Sequence, residues 1–306
     1  MKPDWIAVDW GTTNLRAWAM LEDGTVGSRA ESALGMVHVE PGRFEATLES
    51  MIGGWLTDDR STQVVACGMV GADRGWVHAP YREAPCTPIA PGGFALAPVR
   101  DRRMNVVVVP GLMTVTPSPD VMRGEETQIA GLFSGSPEFH GIACLPGTHT
   151  KWVSVRSGQI AEFQTFMTGE LFDILGSKSI LRHSVDPRGW DGDAFSEAIL
   201  LGMSDPGMIA ARLFSLRSES LICGLEPAVA NARLSGILIG AELASTRPLW
   251  QERDLIVVGS GKACSAYGSA LRVLGKEFTE IDSERAVTAG LGHARRVFGQ
   301  MACPDG

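Results

Sequence analysis

The sequence predicts an α/β protein of two domains built by internal duplication, and three observations predict it. Residues 5–10, 15–21 and 25–30 read as strand, Gly-Thr turn, strand, tight turn, strand, and residues 142–146, 151–155 and 159–166 repeat that order, each set being followed by a helical stretch. Gln63–Gly68, Asn105–Pro110 and Asp254–Gly259 are β-branched runs closed by glycine or proline, the pattern of strands buried on both faces. Between them lie stretches with apolar residues at helical spacing. A chain of 306 residues is long enough for two separate cores.

In order, Asp23-Gly24 supplies the hairpin turn before the third strand, and residues 43–56 are helical. Residues 81–98 hold four prolines and two glycines and are expected to be irregular. A short helix is expected over 124–133. Ser134-Gly135-Ser136-Pro137 has linker composition, so the domains are predicted as 1–137 and 138–306. The second half continues with helices near 169–181, 195–203, 207–221 and 227–244. The strand 254–258, a helix, a strand at 277–282 and a final helix over 283–298 follow, the last with the option of packing back on the first domain.

The net charge of −8 argues against a nucleic-acid surface, because phosphate-backbone contacts need a positive field. Asp4 and Asp9 interrupt any apolar leader, and no apolar run reaches the roughly 18 residues of a membrane helix. The six cysteines form no CxxC pair, so reduced thiols in a cytoplasmic protein are expected. Oligomeric state is not read from the sequence, a homodimer being one option.

Asp9-Trp10-Gly11-Thr12-Thr13 ends the first strand. Glycine there lets the backbone approach a phosphate, while the next amides and the threonine hydroxyls donate to its oxygens. The Asp9 carboxylate is the candidate ligand of Mg²⁺, which keeps several of its waters, and Arg16 is near enough to reach the same phosphate. Leu145-Pro146-Gly147-Thr148-His149-Thr150-Lys151 occupies the matching place in the second half, with Leu145 where an acid is expected. Gly147, Thr148, His149 and Lys151 are its candidate phosphate contacts, although a lone histidine is more often structural. Gly259-Ser260-Gly261 ends a buried strand and opens a helix, a place where adenine can lie against the backbone or where strand and helix simply pack tightly. Glu125 and Glu126 stand between the two loops as candidate general bases, or as acids favoured by a helix dipole.

The order of these motifs resembles the sugar kinase/heat-shock chaperone/actin superfamily. Longer strings, namely Gly68-Met69-Val70-Gly71, Gly75-Trp76, Ala79-Pro80-Tyr81, Asp120 to Gln128, Leu145 to Val153 and Thr165 to Leu171, resemble the 2-dehydro-3-deoxygalactonokinase family over nearly the whole chain. That resemblance implies two ribonuclease H-like domains (a duplicated βββαβαβα unit of the actin/hexokinase type) closing on a cleft. It implies ATP- and Mg²⁺-dependent phosphorylation of 2-dehydro-3-deoxy-D-galactonate at its 6-hydroxyl, with Glu125 the first choice of base and Glu126 the second. The acid's carboxylate calls for an arginine fork, with Arg74 and Arg123 as candidates. Gly71, Trp76 and Tyr81 would line the sugar-acid pocket, and Thr168 begins a helix suited to an anion or only to a cap. The rivals are a phosphoanhydride hydrolase of the exopolyphosphatase type and a non-enzymatic ATP- or sugar-sensing switch.

Overall fold

A computed structural model describes residues 2–135 and 138–302 of the chain. Ser136 and Pro137 of the expected linker, and Cys303, lie outside the described residues. The chain forms two compact units. The first gathers residues up to His140, the segment Val155–Glu162 and the C-terminal segment from Ser283; the second holds Gly141–Ser154 and Phe163–Asp282. Compared with the division expected at 137/138, the first unit also takes in a hairpin segment and the C-terminal helix, whose packing back on the first domain is one expected option.

In the first unit, β1 (Trp5–Trp10), β2 (Leu15–Met20) and β3 (Val26–Ser32) form an antiparallel meander. Helix α1 (Phe44–Ile52) precedes β4 (Thr62–Gly68), which pairs parallel with β1. The short strands β5 (Tyr81–Glu83) and β6 (Ala95–Leu96) follow, then β7 (Met104–Val108), parallel to β4. The sheet order is β3-β2-β1-β4-β7-β6. Side-chain alternation fills both faces: Ile6, Val8, Trp10, Val64 and Ala66 pack toward α1, while Trp5, Ala7, Val65 and Cys67 face the opposite cluster. Residues 81–98, expected to be irregular, in fact contribute β5 and β6. With β8 (Gly111–Thr114) and β9 (Asp120–Met122), β5 makes a second sheet of order β5-β8-β9. Strands of two to four residues are too short to carry a readable period. Helix α2 (Glu125–Gly135) closes this stretch.

The second unit repeats the plan. Strands β10 (Gly141–Leu145), β11 (Thr150–Arg156) and β12 (Gln159–Phe166) begin it. Helices α3 (Thr168–Ser177), α4 (Gly192–Ser204), α5 (Ile209–Ile222) and α6 (Pro227–Trp250) come next, then β13 (Asp254–Val258), α7 (Gly261–Val273) and β14 (Thr279–Ile281). Its sheet order, β12-β11-β10-β13-β14, matches the first sheet's β3-β2-β1-β4-β7, with the last two pairings parallel in both. Its core joins Ile142, Cys144, Trp152 and Val257 of the sheet to Phe195, Ile239, Leu243 and Leu271 of the helices.

The final helix, α8 (Ser283–Ala302), lies on α2 within the first unit. A side chain at Gly290 would come within 1.8 Å of the Thr127 carbonyl oxygen, so only glycine permits this helix approach. Val287, Leu291, Ala294 and Val297 seal the same face of the first sheet. No single helix among the described residues is long and apolar enough to cross a membrane.

Candidate active site

The first phosphate hairpin is braced from outside its own turn. Gly11 N donates to Asn14 O at 2.9 Å, closing the turn. Its carbonyls are then taken by the segment after β3: Gly35 N donates to Thr13 O, Met36 N to Gly11 O, and Val37 N to Thr12 O. A Cβ at Gly35 would sit 2.2 Å from the Thr13 carbonyl carbon, so this brace also requires glycine. Thr12 and Thr13 are exposed. Asp9 is nearly buried and accepts from Arg16 Nη2 at 2.5 Å across the β1–β2 pair. Arg16, expected to reach phosphate, pairs with Asp9 through Nη2.

The candidate bases are brought to this hairpin by two glycines. Gly68, at the end of β4 with φ +91°, backs onto Trp10 O and lies near the Asp9 carboxylate. Gly124, φ +111°, stacks on Gly68, its Cβ position being 3.4 Å from Gly68 Cα. This contact sets the first turn of α2 beside β1. Glu125 is half-buried and accepts from Arg123 N at 3.0 Å. Glu126 is fully enclosed; its carboxylate accepts from Gly124 N at 2.7 Å and from Thr127 Oγ1 at 2.9 Å. Burial, with Glu125 beside it, pushes the Glu126 carboxyl up to about 7.

Three of the expected sugar-acid residues meet in the same unit. The Arg123 guanidinium lies over the Tyr81 ring at 4.3 Å and donates Nη2 to Ala79 O at 2.8 Å. Its Nη1 occupies the space that a side chain on Gly71 would fill. Arg123 is 8% exposed, yet its Nε and Nη1 have no hydrogen-bond partner among the described residues. A buried cation with two idle donors is costly unless something completes it. Arg74 is exposed on the neighbouring turn and is tied to no described residue by a hydrogen bond or ion pair. Trp76 is partly buried against the core, stacked on Phe44 at 6.5 Å and edge-on to Trp10 at 6.2 Å.

In the second unit, Gly147, Thr148, Thr168 and Gly261 line one pocket of about 780 Å³, within the usual range for a small-molecule site. Gly259 and Ser260 line an adjoining hollow of about 400 Å³, shared with Gly261. Gly169 backs onto the hairpin, since a Cβ there would lie 2.3 Å from Gly147 O, and Glu170 N donates to Thr148 O at 2.9 Å. His149 is outside the pocket lining and pairs with Glu170 at 2.6 Å. Lys151 is likewise outside it, buried on β11. Thr168 donates its hydroxyl to Glu242.

Sequence reasoning missed Gly35, Glu242 and Tyr267. Gly35 left no signal. Glu242 had one, being the single charge in the apolar stretch from Ile237 to Ala244.

Two sheets of matching order, each opened by a Gly-Thr hairpin, define the duplicated ribonuclease H-like architecture of actin/hexokinase-type sugar kinases. Over residues 9–294 the chain matches the model of the family described as 2-keto-3-deoxy-galactonokinase, and it belongs to that family. It is 36% identical over 297 residues to a protein from Rhizobium meliloti named as a probable 2-dehydro-3-deoxygalactonokinase, covering 95% of this chain and 96% of that one. It is 34% identical to the 2-dehydro-3-deoxygalactonokinase of Escherichia coli, over 95% of this chain and 97% of the relative. A crystal structure from Sinorhizobium meliloti, provisionally assigned the same activity, superposes with a TM-score of 0.88 at 35% identity, covering 95% of this chain and 96% of that one. These relatives support neither the hydrolase nor the non-enzymatic switch.

Proposed function

We propose that this chain transfers the γ-phosphoryl group of ATP to the 6-hydroxyl of 2-dehydro-3-deoxy-D-galactonate. The observation that carries the reading is the convergence in the first unit of the Asp9 hairpin, the Glu125–Glu126 helix start and an Arg123 with two idle buried donors. ATP occupies the pocket of the second unit, its phosphates against the amides of Gly147 and Thr148 and its adenine along Gly259–Gly261. The exposed residues Thr12 and Thr13 take the transferring phosphate's oxygens through their amides and hydroxyls.

Among the described residues no cluster of three ligands could cage a metal, which suits an ion held by one carboxylate and by phosphates. Asp9 is that carboxylate, and Mg²⁺ there would neutralise charge on the β- and γ-phosphates. Arg16 keeps the Asp9 oxygens oriented. Glu125, the more accessible of the two acids, takes the proton from the acceptor hydroxyl as its oxygen attacks phosphorus. Arg123 holds the carboxylate of the sugar acid through an idle N–H, and Tyr81 keeps the guanidinium plane fixed.

A coupled assay of ADP formation with a panel of 2-dehydro-3-deoxy sugar acids tests the reading. ADP is expected only with acceptor, and best with the galactonate-derived acid. ADP formed at the same rate without acceptor would replace the kinase by a hydrolase.

A further inference from the structure

Glu242 is 3% exposed in the middle of α6. Burying a carboxylate costs several kcal/mol, and a well-packed apolar residue at such a place is commonly no worse for stability. Its retention therefore needs another reason, and its partners supply one. Trp152 Nε1 donates to Oε1 at 2.6 Å, Tyr267 Oη donates to Oε2 at 2.6 Å, and the Thr168 hydroxyl donates to the same Oε2. Because the Tyr267 proton is committed to Glu242, the Thr150 hydroxyl must donate to Tyr267 across their 3.0 Å contact.

These donors come from three different walls of the pocket. Thr150 and Trp152 stand on β11, the strand that leaves the phosphate hairpin. Thr168 begins α3, whose next residue, Gly169, backs onto Gly147. Tyr267 lies on α7 and lines the pocket itself. Three donors on the Glu242 carboxylate, and a fourth from Thr150 on Tyr267, fix the spacing of hairpin, α3 and α7.

We infer that Glu242 is a positioning residue for the nucleotide: its carboxylate ties the phosphate hairpin, the start of α3 and α7 into one preorganised pocket. This rests on the reading of that pocket as the ATP site. The role is geometric. Glutamine can serve it, because the Thr168 and Tyr267 hydroxyls can turn to accept from an amide and Tyr267 can then donate to Thr150. Leucine cannot: it leaves the Trp152 indole N–H and the Thr168 hydroxyl without their partner and Tyr267 with Thr150 alone.

The test is calorimetric titration with ATP, together with initial rates and melting midpoints, for wild type, Glu242→Leu, Glu242→Gln, Tyr267→Phe and the pocket control Ser265→Trp. Ser265 is an exposed pocket-lining residue, so tryptophan there fills the pocket. Glu242→Leu is expected to raise the Kd and KM for ATP roughly 10- to 100-fold, the cost of a displaced binding group. The sugar-acid KM should hold, and Glu242→Gln should restore most of the affinity. Wild-type ATP affinity in folded Glu242→Leu, or a Glu242→Gln as impaired as the leucine variant, overturns the inference. If Glu242→Leu does not fold, Tyr267→Phe decides: it removes only the α7 link and must weaken ATP binding in the same direction, and an unchanged Kd refutes positioning. Should Ser265→Trp leave ATP binding intact, the pocket assignment itself is wrong. If it abolishes binding while Glu242→Leu and Tyr267→Phe bind ATP normally, the pocket stands and positioning alone is lost.

Discussion

The two Gly-Thr hairpins share a backbone plan and keep their acids in different places. In the first, Asp9 stands two residues before Gly11 and pairs with Arg16, five residues after it, across adjacent strands. In the second, Leu145 and Trp152 hold the corresponding positions around Gly147. The missing acid reappears as Glu242 on a helix, bonded to that same Trp152. Asp9 is at the strand end beside a partly exposed arginine, whereas Glu242 is sealed in the interior. A duplicated loop can thus keep its carboxylate at the reacting end in one copy and turn it into internal bracing in the other. The residue that meets it decides which: a charged guanidinium stays partly in water, and an indole N–H goes inside.

The comparison breaks most easily at the helix start beside the first hairpin. Glu125→Gln should lower kcat by ~10² to 10⁴-fold with ATP binding retained, read by initial rates and nucleotide titration. Near-normal turnover would remove Glu125 as the base.

Glu126 comes next. Its carboxyl is raised from 4.5 to about 7 in the folded state. Between those values the unfolded chain releases a proton that the folded chain keeps, so stability falls as pH rises through this window and is level above it. A shift of this size corresponds to roughly 3 kcal/mol. Urea unfolding at pH 5 and pH 8 should show wild type losing about that much relative to Glu126→Gln, and parallel pH profiles would refute the buried protonated acid.

Arg123→Ala should raise the KM for the sugar acid roughly 30-fold, about 2 kcal/mol, the worth of a hydrogen bond to a charged group. The KM for ATP should be unchanged. The same split from Arg74→Ala, with Arg123→Ala silent, would move the carboxylate to the exposed turn.

The smallest effects separate the hairpins as backbones. Gly35→Ala forces a methyl into the Thr13 backbone and should cost about 1–3 kcal/mol of stability, as overpacking does. Gly147→Ala meets nothing within 4 Å and should stay within about 0.5 kcal/mol of wild type, the range of surface substitutions. Equal losses in melting experiments would mean that both loops are braced alike.

Much of the fold was legible because its signals are local. The meander strands, the Gly-Thr turns and the apolar run of β1 each follow from a few adjacent residues, and the repeat of their order gave the duplication. The small sheet of β5, β8 and β9 was not legible, since its strands are held by partners distant in sequence rather than by a pattern of their own. In the site, Asp9, Glu125, Arg123 and Gly147 were named from motif strings. The two arginines could not be ranked from sequence, because only packing leaves Arg123 buried on Tyr81 with idle nitrogens while Arg74 faces water.

The sequence by itself determined that two Gly-Thr hairpins open two similar halves, with an acidic helix start between them. Tertiary structure alone decided that α8 returns to cover α2 through Gly290, that Gly35 props the first hairpin, and that Glu242 braces the second. Turns and strands are written in neighbouring residues, whereas a close helix crossing or a buried carboxylate depends on atoms that meet only after the chain has folded.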